Sequence, residues 1–426
     1  MLAYLTIIEV CILALINQLK LINIGGFAPV IVLVFTALYV MVLPYDPRLR
    51  GVNSQIVLGL LLRIALLFFD VYCKDIYNLP NSGPDANWFY RTSLLVAQNK
   101  NVDDAGLFSL LMGTLMRFLG TNRLIAQFII VMFSLFSLVF IAYSLYEMNL
   151  DCLIQKRVMT IVSLLPNFAI LGSIFLRESI VTLFVAMSCY SFTLWIKRKS
   201  EVHFLLSLIF VLLSAIFHSG TLGIAIGYLL VRYLYDKENE VFRLRLMNIV
   251  ISTVFLLVFT YFFLMYKDTL FGKLANVISL EDIANTHQEG GSSYAKYVGN
   301  SNSISNMLKY TPLRILYFLF SPFPWQWRGM ADIIAFLFSS LFYFHVVYSA
   351  IIKVKMENAE SVLSIIWLII AFSVIFVFAW GVSNTGTAAR HRDKLVPIFS
   401  IMWACSIHKL RFKETETHHY IYIKDI

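Results

Sequence analysis

A chain of 426 residues, 59% of them hydrophobic and only 14% charged, has too little charge to cover a water-soluble surface. Its mean hydropathy of +0.76 and recurring apolar runs of about 18 residues or more place it among the polytopic membrane proteins. The net charge of +9 does not point to nucleic acid, because Lys and Arg come in small clusters between apolar runs, as in cytoplasmic loops.

In chain order, residues 2–19 lack the basic start and small-residue cleavage site of a leader and read as a retained helix. A second helix covers 26–43, and Arg48 and Arg50 mark the following link as cytoplasmic; a third covers 55–72. The region 74–123 is then external. Within it, 107–119 is only about 13 residues long, roughly 20 Å of helix against a hydrocarbon core of roughly 30 Å. It is expected to lie in the outer interface rather than to cross. With that choice 124–146 crosses inward, Lys156 and Arg157 are cytoplasmic, 158–175 crosses outward, and 179–196 returns to Lys197, Arg198 and Lys199. The apolar stretch 203–235 is too long for one crossing and reads as two short helices turning at His218-Ser219-Gly220. Residues 246–266 cross outward, a polar loop occupies 267–311, and 313–320 enters the membrane until Pro322 and Pro324 break it. Crossings at 333–352, 362–382 and 395–408 follow, then a basic tail, 409–426. The expected fold is all-α, a single transmembrane domain over 1–426 with about 12 transmembrane helices and both termini cytoplasmic.

The cysteines (Cys11, Cys73, Cys152, Cys189, Cys405) are scattered and read as small core residues. His418 and His419 have no nearby partner, so no metal site is expected. No nucleotide-binding fingerprint occurs, so no cofactor is expected, and any activated donor must arrive within the membrane.

Arg177 and Glu178 stand where two apolar segments meet. A charge at a bilayer centre costs roughly 2.5–3.5 kcal/mol, so an adjacent pair marks a helix end or a polar cavity. In this threading the same external face collects Asp85, Arg91, Arg117, Arg123, His218, Arg314, Arg328, Asp332, Arg390, His391, Arg392 and Asp393. Guanidinium groups bind phosphate bidentately, keep their charge when partly desolvated and neutralise a departing pyrophosphate without requiring a metal. Glu178, Asp85 or His218 is then the candidate proton acceptor. Plainer readings stand beside these. Asp85 caps a helix beginning near Ala86; Arg91 is a solvated loop residue; Arg177 and Glu178 pair only with each other; His218 is a satisfied turn histidine. Arg390, His391 and Arg392 are interfacial anchors, although basic residues there run against the positive-inside bias, and Trp325 belongs to an aromatic belt or to a sugar-stacking surface.

Several of these segments resemble a known group. Pro84-Asp-Ala-x-x-x-Tyr-Arg91, Leu165-Pro-x-Phe continuing to Leu-Arg-Glu178, His218-Ser-Gly, Ser321-Pro-Phe-Pro-Trp325 and Arg390-His-Arg-Asp393 are similar to segments of bacterial multispanning sugar-transfer proteins. These include the Wzy-type oligosaccharide repeat-unit polymerases and the GT-C-like glycosyltransferases of capsule, exopolysaccharide and O-antigen biosynthesis. The resemblance covers most of 80–400 through short motifs. It implies a GT-C-like or Wzy-like helical bundle in the bacterial cytoplasmic membrane, with its active site at the outer face. The implied substrate is an undecaprenyl-pyrophosphate-linked oligosaccharide, and a flippase and a chain-length regulator are the implied protein partners. Carried over, Asp85 or Glu178 corresponds to the functional acid, and Arg177, Arg390 and Arg392 to phosphate contacts. Asp85 has only Asn87 beside it where GT-C enzymes usually show an acidic pair, which favours the polymerase. The alternatives are a GT-C-type transferase using a polyprenyl-phosphate sugar and a lipid-linked glycan flippase.

Overall fold

The computed structural model describes residues 1–20, 24–100, 105–243, 304–355 and 361–407, with isolated positions at 102 and between 249 and 298. The expected crossing at 246–266 and loop at 267–311 lie largely outside the described residues, and the tail 409–426, with His418 and His419, lies wholly outside them. What is described is all-α. The helices are α1 Leu2–Gln18, α2 Ile24–Val42, α3 Asn53–Tyr72, α4 Pro84–Ala97, α5 Gly106–Leu119, α6 Arg123–Glu147, α7 Cys152–Leu164 and α8 Pro166–Leu171. They continue with α9 Glu178–Arg198, α10 Glu201–Phe217, α11 Leu222–Leu234, α12 Ile304–Phe320, α13 Met330–Lys355, α14 Val362–Gly381, α15 Thr385–Asp393 and α16 Val396–Ile407. A short antiparallel ribbon, Tyr235–Asp236 with Val241–Phe242, follows α11.

Six of the described helices are long and apolar enough to cross a membrane: Gly25–Tyr45, Asn53–Tyr72, Arg123–Glu147, Glu178–Arg198, Met330–Lys355 and Val362–Gly381. The other apolar helices have 10–17 residues. At 1.5 Å per residue such helices fall short of a full crossing, so among the described residues several of the roughly 12 expected crossings are shorter than a full-length span. Depth separates the six. The apolar windows of α6 and α9 are each 78% buried inside the protein, against 33% for α2 and 28% for α13. The first two are therefore the protein-enclosed centre, and the last two present their flanks outward.

Lipid tails are as apolar as leucine, so close backbone packing and polar contacts hold such a bundle together. Helix α11 shows the first. A methyl group added at Gly223 would lie 2.7 Å from the Cα of Val374, and one at Gly227 would lie 2.7 Å from the Cα of Ile370, so α14 approaches α11 backbone to backbone. Arg63 in α3 shows the second. It is fully buried, donating to Ser134 Oγ of α6 at 2.7 Å and to the carbonyls of Gly59 and Ser163 at 2.9 and 3.0 Å.

The contacts sort the helix termini onto two ends. At one, Tyr143 of α6 and Arg48 after α2 meet Asp46, Arg48 also reaches Tyr190 of α9, and Arg198 pairs with Glu147. At the other lie the last turns of α1, α3 and α5 and the first turns of α4, α6 and α9. Here Asn17 donates to the carbonyls of Arg117 and Phe118, and Arg123 reaches Asn87. Helix α5 begins and ends at this second end. His218-Ser219-Gly220 is the turn between α10 and α11 there, with Gly220 against the Phe378 ring of α14.

One expected crossing, 158–175, is not a single helix. Pro166 lacks an N–H and forces Leu165 out of the helical region (φ −57°, ψ 113°), so α7 stops at Leu164 and the short α8 follows. The chain then turns through 172–177 before α9 begins at Glu178.

Candidate functional site

Three distant segments meet where α9 starts. Arg177 is the N-cap of α9 and Glu178 its first residue, a favourable place for a carboxylate at the positive end of the helix dipole. Asp85 lies in the first turn of α4, which begins at Pro84 after Gly83. The expectation that Asp85 caps this helix is corrected: Gly83 holds the cap position, and the Asp85 side chain turns to Arg390 instead. Arg390 lies on α15, which the Asn384 side chain starts by accepting from Gly386 N and Thr387 N.

Arg390 bridges the two carboxylates. Its Nη1 donates to Asp85 Oδ2 at 2.7 Å and its Nη2 to Glu178 Oε1 at 2.9 Å, across 305 and 212 residues of chain. Lys394, with no exposed side-chain surface, stands 3.7 Å from the same Glu178 oxygen. Burial alone would lower the Arg390 pKa, but the Glu178 and Asp85 carboxylates raise it above the usual guanidinium range. The plainer expectation, in which Arg177 and Glu178 satisfy only each other, is therefore replaced. Glu178 is taken by Arg390 and Lys394, while Arg177 makes no ion pair with any described residue and its buried Nε has no hydrogen-bond partner.

Arg177 faces a cavity of about 360 Å³ lined also by Asp85, Arg390, Trp88, Phe89, Phe108 and Phe217. Two guanidiniums and one carboxylate thus share a chamber walled by aromatic rings. His218 and His391 meet beside it, Nε2 to Nε2 at 3.2 Å, with the Phe378 ring 5.3 and 5.2 Å from them. Desolvation, then the positive charge of Lys394, Arg177 and Arg390, holds both imidazoles well below the ordinary histidine pKa. Both are neutral at pH 7, one donating Nε2–H and the other accepting.

A second network sets the entry to α4. Asp70, buried at the end of α3, accepts from Ser82 Oγ and from Gln127 Nε2 (3.0 Å), and Arg123 stands 3.7 Å away. Arg123 and Lys74 both reach Asn87 Oδ1 at 3.2 Å, so the turn carrying Pro84 and Asp85 is fastened to α3 and α6. Arg123 thereby positions the Asp85 turn.

The remaining expected contacts fall elsewhere. Arg392, expected at phosphate, is fully buried; its Nη1 donates to the carbonyls of Phe318, Leu319 and Ser321 (3.2, 2.6 and 2.6 Å) and closes the C-terminus of α12. Arg314 is 1% exposed within α12 and lines none of the cavities described. Arg328 pairs with Asp332 four residues on, and Trp325 is 62% exposed, stacked on Phe323. Arg91 is exposed and pairs with no described residue.

Lys394 escapes the sequence reading. Its signal is the i, i+4 spacing from Arg390, which puts both on one helix face once 385–393 is known to be helical. Asn167 escapes it too: its Nδ2 donates to Asp393 Oδ2 at 2.5 Å, and burial pushes the Asp393 carboxyl up to about 7.

Fold and site together define a multi-pass α-helical membrane protein with a charged, aromatic-walled chamber at one end of its bundle. Comparison with protein-family profiles, with curated proteins and with solved structures finds no match.

Proposed function

We propose that the protein is a polysaccharide polymerase that joins polyprenyl-pyrophosphate-linked oligosaccharide repeat units at the outer face of a bacterial cytoplasmic membrane. The observation that carries this reading is the free guanidinium of Arg177 beside the Asp85–Arg390–Glu178 bridge, facing one aromatic-walled cavity. Arg177, in no ion pair with any described residue, takes the pyrophosphate of the growing chain. Trp88, Phe89, Phe108 and Phe217 supply flat apolar faces for the sugar rings.

In the transfer, the acceptor hydroxyl oxygen bonds to the anomeric carbon, and the bond from that carbon to pyrophosphate breaks. The departing lipid pyrophosphate keeps the bonding electrons and is neutralised by Arg177 and Arg390. The hydroxyl proton goes to Asp85, the one carboxylate among the described residues lining the cavity, as Arg390 exchanges it for phosphate. Glu178 stays bound to Arg390 and Lys394 and orients them.

The test is a deletion strain analysed for its lipid-linked glycans. Single complete repeats should accumulate, the wild-type gene should restore polymer, and Arg177→Ala and Asp85→Asn should not. Truncated repeats in the deletion strain would instead identify a single-sugar transferase, and complete repeats trapped on the cytoplasmic face a flippase.

A further inference from the structure

A second cavity, of about 280 Å³, also lies against α15, where Ala389, Gly386 and Thr385 line it while Arg390 lines the first chamber. Its far wall comes from the start of α13, where residues Ala335–Ser340 form a π-turn. Such turns are uncommon and collect at functional sites, because the extra residue redirects the side chains around it. Here the turn sends Ala335, Phe338 and Ser339 to the cavity. Ser340 is satisfied, donating to the Ser321 carbonyl at 3.0 Å, but the neighbouring Ser339, 1% exposed, has a hydroxyl with no hydrogen-bond partner. That hydroxyl is sealed beneath the cavity wall, so a ligand takes its hydrogen bonds from the other polar side chains of the lining.

The lining states what that ligand is. Among the described residues that line it, none is Lys, Arg or His. The one carboxylate, Asp332, already accepts from the Arg328 backbone N–H at 2.9 Å and pairs with its guanidinium. The first N–H groups of α15 are taken by Asn384, so no anion-binding helix end opens here. What remains is amide and hydroxyl groups (Asn81, Thr385 and Asn167, the last with its Nδ2 already given to Asp393) on an apolar surface lined also by the exposed rings of Tyr77 and Phe338. Neutral hydrogen-bonding groups with flat aromatic edges suit an uncharged sugar, and the volume lies at the lower end of the small-ligand range. We infer that this cavity is a binding site for a neutral carbohydrate, separate from the anion-binding chamber that Arg390 lines. The site stands on its own lining, whatever reaction the first chamber performs; if that chamber is a polymerase centre, the carbohydrate is the glycan part of a repeat unit.

The experiment is retention of the full-length protein, in lipid nanodiscs, on an array of uncharged oligosaccharides. Wild type should bind saturably. Tyr77→Ala should weaken binding about tenfold, and Ala335→Trp, which fills the cavity, should abolish it. Tyr77 is 53% exposed, so its replacement tests the site without disturbing the fold. Neither Arg177→Ala nor added inorganic pyrophosphate should change retention, which keeps the result independent of the first chamber. Absence of retention, retention insensitive to Tyr77→Ala, or displacement by pyrophosphate would overturn the inference.

Discussion

The two ends of the bundle carry charge in opposite ways. At the Asp46 end most ion pairs are chain-local or solvent-facing, although Arg232, 2% exposed, reaches Glu201 at 3.4 Å. Arg48 meets Asp46 two residues away, Arg198 meets Glu147 with 55% of its side chain exposed, and Lys199 stands 3.8 Å from a half-exposed Glu238. At the Glu178 end the groups come from 305, 212 and 173 residues apart and, apart from Asp85 with 62% of its side chain exposed, are largely withdrawn from water, with Glu178 3% and Lys394 0% exposed at the side chain. An exposed pair is worth little, whereas buried charges must recover several kcal/mol of desolvation through their partners. The first end, Arg232 apart, therefore does what solvated charge does at any membrane surface. The second holds a costly arrangement together, and Arg177, in no ion pair with a described residue and with a buried Nε that has no hydrogen-bond partner, leaves it open to a further group.

That contrast can be broken or sharpened by substitution. The largest effect is expected from Glu178→Gln. It leaves Lys394 without the one described carboxylate within ion-pair distance of it and takes one of two from Arg390, costing about 3–5 kcal/mol of stability, read as a large fall in Tm in detergent. Next is Gly223→Val. A side chain forced against the α14 backbone at 2.7 Å should cost about 1–3 kcal/mol in the same assay while leaving both charged ends chemically intact. Arg177→Ala should leave Tm nearly unchanged yet lower polymer formation about 100-fold or more, since it removes charge stabilisation and no ion pair. The histidine pair gives a pH effect. Both imidazoles are held below their unfolded pKa of about 6.5, so their contribution to stability is complete above that pH. As pH falls below about 6.5 the unfolded state binds protons that the folded state refuses, and stability is lost; His391→Asn should flatten that acid limb. Smallest is Arg198→Ala at the opposite end, expected to cost about 0.2–1 kcal/mol.

Much of this was legible in the chain. Arg177-Glu178 between two apolar segments had to be a helix end or a polar cavity, and it is both. His218-Ser219-Gly220 marked the turn inside an over-long apolar stretch because Ser and Gly favour that geometry. The rest depends on three-dimensional packing. Nothing local distinguishes Arg390, which bridges two carboxylates, from Arg392, which caps α12; two residues apart, they point to different sides of a helix whose existence depends on the Asn384 cap. Hydropathy reports how apolar a segment is and not how deep it runs, so a segment such as 158–175 looks like a full crossing although Pro166 ends α7 at Leu164.

The sorting of charge onto two ends is tested most directly by site-specific labelling. In a variant with the 5 native cysteines replaced, single cysteines at positions 85, 390, 48 and 198 can be probed with a membrane-impermeant thiol reagent in sealed, oriented vesicles. Positions 85 and 390 should react from the same side, with 48 and 198 reacting from the other. Labelling of 85 and 390 from opposite sides would contradict the convergence on which the site rests.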